Sequence, residues 1–245
     1  MIMLQDHLLV IATIILFASI VQSVAGFGFA LLAVPLMVMF VDLHQAVIIA
    51  TLLGTVSNLG QAWQLRHYQH RSIAYRFIVA SCLGAPFGFA LFKYADQNIL
   101  KALLGLGVLF GVWMLARGRD MQHANVSIDW LMGWLSGVLQ LATSTNGPPI
   151  VFTLQARRLN PDTQRATLNL IFSATGIFSI GVFTLAGKIH ADELLVVLKA
   201  TPVMLSGIFI GVVLRKHINA VVFKKIVLLL LTLGGLSSIV SSLLG

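Results

Sequence analysis

The chain has 245 residues, 58% of them hydrophobic and 10% charged, with a formal net charge of +8 and a mean hydropathy of +0.94. A soluble domain carries roughly 25% charged residues, so this chain cannot cover a water-facing surface and reads as an all-α polytopic membrane protein forming a single transmembrane domain. The positive charge sits between apolar runs, where it sets topology and does not indicate nucleic acid, and a single cysteine, Cys82, excludes an intrachain disulfide.

Ten apolar segments follow along the chain. The first, about 8–25, is preceded by Gln5, Asp6 and His7 and not by a basic stretch, so it reads as a retained span and not a cleaved signal. A short second segment covers about 29–41, then come 45–64, 74–92 and 98–116. The sixth covers about 128–142, a short seventh 148–156, and the last three 166–186, 194–214 and 221–243. Their lengths allow eight to ten spans, some of them re-entrant half-helices.

The joints alternate in charge. Arg66, His67, His70, Arg71 and Arg76 gather between segments three and four, and Arg117 and Arg119 follow segment five. Arg157, Arg158 and Arg165 lie between seven and eight, and Arg215, Lys216, Lys224 and Lys225 around the joint of nine and ten. Asp42 and His44, and Lys188, Asp192 and Glu193, mark poorer joints, while Lys93, Asp96 and Lys101 form a mixed one. With basic joints in the cytoplasm, both termini are expected outside. Hairpins at segments one-two and six-seven leave these signs unchanged.

One stretch resists a helical reading. In Gln140-Leu141-Ala142-Thr143-Ser144-Thr145-Asn146-Gly147-Pro148-Pro149 the two prolines lack an N–H and Asn-Gly is a turn pair. Its apolar flanks are too short to place it in water, and a polar break at membrane depth is tolerated only where protein or a wet cavity surrounds it.

The chain also resembles itself. Gly84-Ala85-Pro86-Phe87-Gly88 resembles Gly207-Ile208-Phe209-Ile210-Gly211, and at the same offset Arg76, Lys93 and Lys101 fall on Lys199, Lys216 and Lys224. Ala50-Thr51-Leu52 resembles Ala166-Thr167-Leu168, Ser57-Asn58-Leu59-Gly60 resembles Ser173-Ala174-Thr175-Gly176, and Gln22 falls near Gln140, which sets Gly26-Phe27-Gly28 opposite Ser144-Thr145-Asn146. The ordered set indicates two repeats, 1–119 and 127–245, of about five segments each. An odd segment number inverts the second copy, an architecture recurrent in secondary transporters with the site at the repeat interface.

All eight acidic residues and all seven histidines lie at segment ends or joints, so no carboxylate relay, metal site or hydrolase constellation is visible at membrane depth. No enzyme and no cofactor are expected. The spans instead carry neutral hydrogen-bonding groups. Gln22, Gly26, Gly28, Gln140, Ser144, Thr145, Asn146 and Gly147 are expected to supply donors at the centre, with Pro148 and Pro149 holding the break open. Thr51, Asn58, Thr167 and Asn169 are expected to line the neighbouring helices, with Arg165 at the mouth of the eighth segment and Arg76 and Lys199 as further cations. Amides, hydroxyls and backbone N–H groups without a carboxylate suit an anion.

These residues resemble the TauE/SafE family of membrane transporters, the sulfite-exporter-like proteins. The carriers are Gly26-Phe27-Gly28-Phe29-Ala30-Leu31-Leu32-Ala33-Val34-Pro35-Leu36, Ala50-Thr51 with Ser57-Asn58-Leu59-Gly60, and Ala166-Thr167. Where the family often repeats a glycine-rich motif containing Val-Pro, this chain has Ser-Thr-Asn-Gly-Pro-Pro. The resemblance implies export or uptake of sulfite, an organosulfonate or a related small anion across the bacterial inner membrane. The expected protein is therefore a secondary transporter working by alternating access, with a small anion and membrane lipid as partners and a homo-oligomer allowed. An anion channel and a non-transporting scaffold or assembly protein are the rival readings.

Overall fold

The computed structural model describes residues 7–117, 125–157, 159–215, 217 and 220–244; Gln5, Asp6, Arg119, Asp120, Arg158 and Lys216 lie outside the described residues. The described chain is helical throughout: α1 (Leu8–Ala25), α2 (Phe29–Met37), α3 (Leu43–Gln64), a 3₁₀ turn (Arg66–Tyr68), α4 (Arg71–Tyr94), α5 (Gln97–Arg117), α6 (Val126–Thr143), α7 (Gly147–Ala156), α8 (Pro161–Leu185), α9 (Ala191–Leu214) and α10 (Ala220–Leu244). Six of these, α1, α3, α4, α8, α9 and α10, are long and apolar enough to cross a membrane. Local chemistry sets their starts. The Asp42 carboxylate accepts the His44 N–H at 2.8 Å, Asn160 accepts the Asp162 N–H at 3.2 Å with Pro161 opening α8, and the Glu193 carboxylate reaches back to the His190 N–H at 2.9 Å. The His44 side-chain hydrogen bond holds the Asp42 carboxyl below its ordinary range. That cap is therefore intact at neutral pH and is lost as pH falls through the lowered value.

The second segment is shorter than its apolar run. α2 ends at Met37, four residues before the expected 41, because the chain turns there to enter the Asp42 cap: Phe40 and Val41 N–H both return to the Met37 carbonyl.

Contacts between element ends sort the helices by direction. At one end Asp129 of α6 meets Arg76 of α4 and Arg157 after α7, His70 meets Thr167 of α8, and Arg215 lies 4.0 Å from Asp162. This is the basic end. At the opposite end Gln97 hydrogen-bonds Asp42, the His44 ring bonds the Phe92 carbonyl at 2.9 Å, and Phe92 packs on Phe183.

Two helix pairs fold back on themselves. α1 and α2 open at the opposite end, where the His7 ring lies 5.9 Å from Phe40. α6 and α7 open at the basic end, closed by the 2.5 Å ion pair of Arg157 with Asp129. Both tips, 26–28 and 144–146, lie inside the bundle, and the hairpins enter from opposite ends.

Glycines set the helix spacing. α4 packs on α6 as α9 packs on α1. A Cβ at Gly84 or Gly88 would sit on the backbone carbonyls of Trp134 or Val138, and one at Gly207 or Gly211 would press on the Leu16 or Ile20 carbonyls at 2.7 and 2.8 Å. The Ser81 hydroxyl donates across the first interface to the Gly133 carbonyl at 2.9 Å, and Ser23 across the second to the Ile208 carbonyl at 2.9 Å. With no hydrophobic drive between helices in lipid, such backbone-to-backbone approach is a main source of association. α3 packs on α8, and α5 on α10 through Gly105 and Gly235.

Gly88→Val is therefore expected to force α4 from α6 and abolish the monodisperse peak in detergent size-exclusion chromatography. Gly60→Ala, where an added Cβ meets nothing within 4 Å, should leave that peak unchanged and raise thermal stability by up to about 1 kcal/mol through helix propensity.

Candidate functional site

The two tips end their first helices in the same way. α1 stops at Gly26 (φ +84°), whose N–H returns to the Gln22 carbonyl at 2.6 Å; α6 stops at Ser144 (φ +59°), whose N–H returns to the Gln140 carbonyl at 3.0 Å. Glycine takes the left-handed conformation freely, while for Ser144 it costs roughly 1–2 kcal/mol. Among the described residues Ser144 is the only non-glycine with positive φ. Its hydroxyl accepts from Thr51 of α3 at 3.0 Å, which ties the strained tip to the neighbouring helix.

After each tip a short helix starts. Gly28 (φ +101°) opens α2, whose first internal bond is Leu32 N–H to the Gly28 carbonyl, so the N–H groups of Phe29, Ala30 and Leu31 have no acceptor within the helix. α7 starts at Gly147 with Pro148 and Pro149 next. Two of its first N–H groups are therefore missing, and Gly147 is the donor left in that turn. Both short-helix starts face one cavity, level with the middle of α3 and α8.

The cavity is walled by the α2 start (Gly28 to Leu31), by Gln22, by Thr51, Gly54, Thr55 and Asn58 of α3, by Gln140 and the run Ser144 to Gly147, and by Phe172 and Gly176 of α8. No side chain of this wall is charged. A chain of hydrogen bonds sets the polarity of its amides. Gln61 Nε2 donates to the Ser57 hydroxyl (3.2 Å), which donates to Gln22 Oε1 (3.0 Å), so Gln22 Nε2 donates to Asn58 Oδ1 (2.8 Å). The Asn58 Nδ2 group is then left with its N–H donors toward the cavity. Gln140 lines the cavity with no hydrogen bond to its side chain among the described residues. Asn146 is held by Nδ2 to Thr175 at 3.4 Å and by the Ser136 hydroxyl on its carbonyl at 2.9 Å.

The structure thus brings together Gln22, Gly28, Thr51, Asn58, Gln140, Ser144, Thr145, Asn146 and Gly147 around one space. Six expected site residues stand elsewhere. Gly26 lies under the Arg165 side chain. Pro148 borders a smaller apolar cleft of about 230 Å³ with Gly111 and Phe152, and Pro149 is buried in α7; they set the start of α7 and line no part of the main cavity. Thr167 accepts the His70 N–H at 3.0 Å and donates to the Thr163 carbonyl at 2.7 Å, serving the joint into α4. Arg165 and Asn169 lie on the α8 face that reaches the cavity further on, toward the basic end. Nor do the two other expected cations reach it. Arg76 is bound to the fully buried Asp129 at 2.9 Å, and Lys199 is exposed on α9.

The α2 start itself, Phe29-Ala30-Leu31, belongs to the motif but is not legible in the sequence as a set of donors, because apolar side chains hide what their backbone donates. The αL glycines before it are the signal that marks a fresh helix N-terminus.

The fold and this cavity define a multi-pass helical membrane protein with a polar chamber enclosed between two inward-pointing hairpins. The chain belongs to the Sulfite exporter TauE/SafE family, whose profile matches residues 11–238. It is also similar to the probable inner membrane transporter protein TsaS of Comamonas testosteroni, 29% identical over 165 residues. That match spans 63% of this chain and 66% of the relative, just under two thirds of its length. No solved structure matches the chain.

Asp129 carries both Arg76 and Arg157 with none of its own surface exposed. Asp129→Asn should leave two partly buried guanidiniums without a counter-charge and lower stability by about 3–5 kcal/mol, read as a large drop in melting temperature in detergent.

Proposed function

We propose that the protein is a secondary transporter that moves a small anion, sulfite, an organosulfonate or a related sulfur-containing or organic anion, across the inner membrane by alternating access. The observation that carries this reading is the convergence of two short-helix N-termini on one uncharged, amide-lined chamber. A helix N-terminus presents roughly half a unit of positive charge, so two of them complement about one negative charge. At the ends of α1 and α6 one carbonyl each, that of Gln22 and of Gln140, takes a tip N–H, and the Val24 carbonyl takes Arg165 Nη2, which lessens the acceptor character facing the donors.

The donors are unequal between the halves. α2 offers the N–H groups of Phe29, Ala30 and Leu31, and α7, with its prolines, offers that of Gly147. The anion is therefore expected to sit nearer α2, with Asn58 and Gln140 closing on it from either side. Inverted repeats, 1–119 and 127–245, would exchange their hairpins' exposure as the chamber turns from one face to the other. The basic end would face the cytoplasm and both termini the outside.

In proteoliposomes the purified protein should show saturable uptake of sulfite or methanesulfonate, accelerated by the same anion on the far side. Saturation without trans-stimulation would indicate a channel, and no flux of any anion would remove the transport reading. Asn58→Ala and Gln140→Ala are each expected to lower uptake at least tenfold, about 1.4 kcal/mol, at unchanged protein yield.

A further inference from the structure

We propose that Arg165 and Asn169 form a second binding position for a small oxyanion, on the basic-end side of the central chamber. A passing anion would occupy it between the chamber and that face. The proposal rests on the anion reading above and adds a separate site to it.

Arg165, Asn169, Phe172 and Gly176 recur at steps of four, three and four residues, one face of a helix. The last two line the central chamber, so the first two continue the same stripe toward the basic end. Asn169 is completely buried, and among the described residues neither its Nδ2 nor its Oδ1 has a hydrogen-bond partner. The Nη1 group of Arg165 is likewise buried and without a partner, while its Nη2 donates to the Val24 carbonyl at 3.1 Å. Leaving such groups unpaired costs about 1–3 kcal/mol each, and native structures rarely leave them without an occupant or a role. Adjacent turns of α8 thus hold a charged donor, a neutral donor and an acceptor, all unspent.

That set matches an oxyanion. Nη1 and Nδ2 supply N–H groups to two oxygens, and Oδ1 accepts from a third oxygen if it carries a proton. One turn nearer the basic end, the partly exposed Asp162 and the exposed Arg215, 4.0 Å apart, both act on the Arg165 charge, with opposite signs. The first hairpin helps hold the arginine. A Cβ at Gly26 would lie 2.8 Å from Arg165 Cγ and 3.1 Å from Nε, so the glycine lets the arginine stem lie across the tip while Nη2 caps the end of α1. An arginine laid this way offsets the negative end of the α1 dipole, where an approaching anion would otherwise be repelled.

The test uses purified full-length protein with sulfite and methanesulfonate as probes, comparing wild type with Asn169→Leu and Arg165→Lys. Asn169→Leu keeps the volume and removes the unpaired amide. It is expected to melt at the wild-type temperature or higher without anion, yet to lose at least tenfold in uptake rate per folded protein. Arg165→Lys keeps the charge but loses the planar fork, and is expected to raise the apparent KM for uptake at least fivefold. Wild-type uptake with both variants indistinguishable from it would overturn the second position and leave the central chamber standing. So would an Asn169→Leu protein that melts lower but transports normally, since the amide would then be structural. Wild type that shows neither an anion-dependent thermal shift nor uptake would overturn the chamber and this position together.

Discussion

Ending a helix inside an apolar bundle leaves backbone N–H and C=O groups that lipid cannot satisfy, and the rest of the structure follows from how this chain meets that constraint. It does so twice, once at Gly26 and once at Ser144, each time by returning the tip N–H to the carbonyl of a glutamine four residues back. One carbonyl at each break is thereby satisfied, and Arg165 takes a further one at Val24. The N-terminal starts of α2 and α7 both line the chamber between the two tips. The chamber is thus a by-product of two helix breaks that leave N-terminal donors without an acceptor in their own helix.

Everything around the chamber keeps those tips in place. Close glycine contacts clamp α4 to α6 and α9 to α1, so each hairpin is gripped along its first helix. The Asp129 pair with Arg157 shuts the mouth of the second hairpin, and Arg76 ties it to α4. Inside, the relay from Gln61 through Ser57 and Gln22 turns Asn58 so that its amino group faces the cavity. Rigidity outside and donor polarity inside are separate devices, since the glycine contacts carry no polarity and the amide relay spans only α1 and α3.

Much of this was legible in the residues. The run from Gln140 to Pro149 cannot continue a helix, and the internal repeat pairs Gln22 with Gln140. In space these two glutamines occupy the same cap position at the two tips. Other expected residues lie away from the chamber for reasons that composition does not carry. Thr167 reads as a polar group at membrane depth, yet its hydroxyl is spent on the joint into α4. Arg76 reads as a cation near the start of a span, yet Asp129, over fifty positions along, claims it. Pro148 and Pro149 read as part of the site, but a proline contributes to a helix start by removing a donor, and here that makes the two halves of the chamber unequal.

By itself the sequence determined the class: 10% charged and 58% hydrophobic residues place the chain in a membrane, its long unbroken apolar runs select helices over a barrel, and prolines and glycines mark where they break. It also determined the chemistry on offer, because no carboxylate or histidine falls at mid-span. Only the tertiary structure decided that the broken segments are hairpins entering from opposite ends, since charge alternation is the same for a hairpin as for two crossings. Only it decided which donors remain unspent, because a hydrogen-bonding group is available to a ligand only when no neighbour in space has already taken it. Phe29, Ala30 and Leu31 line the chamber with unspent donors on that ground, and Thr167 does not.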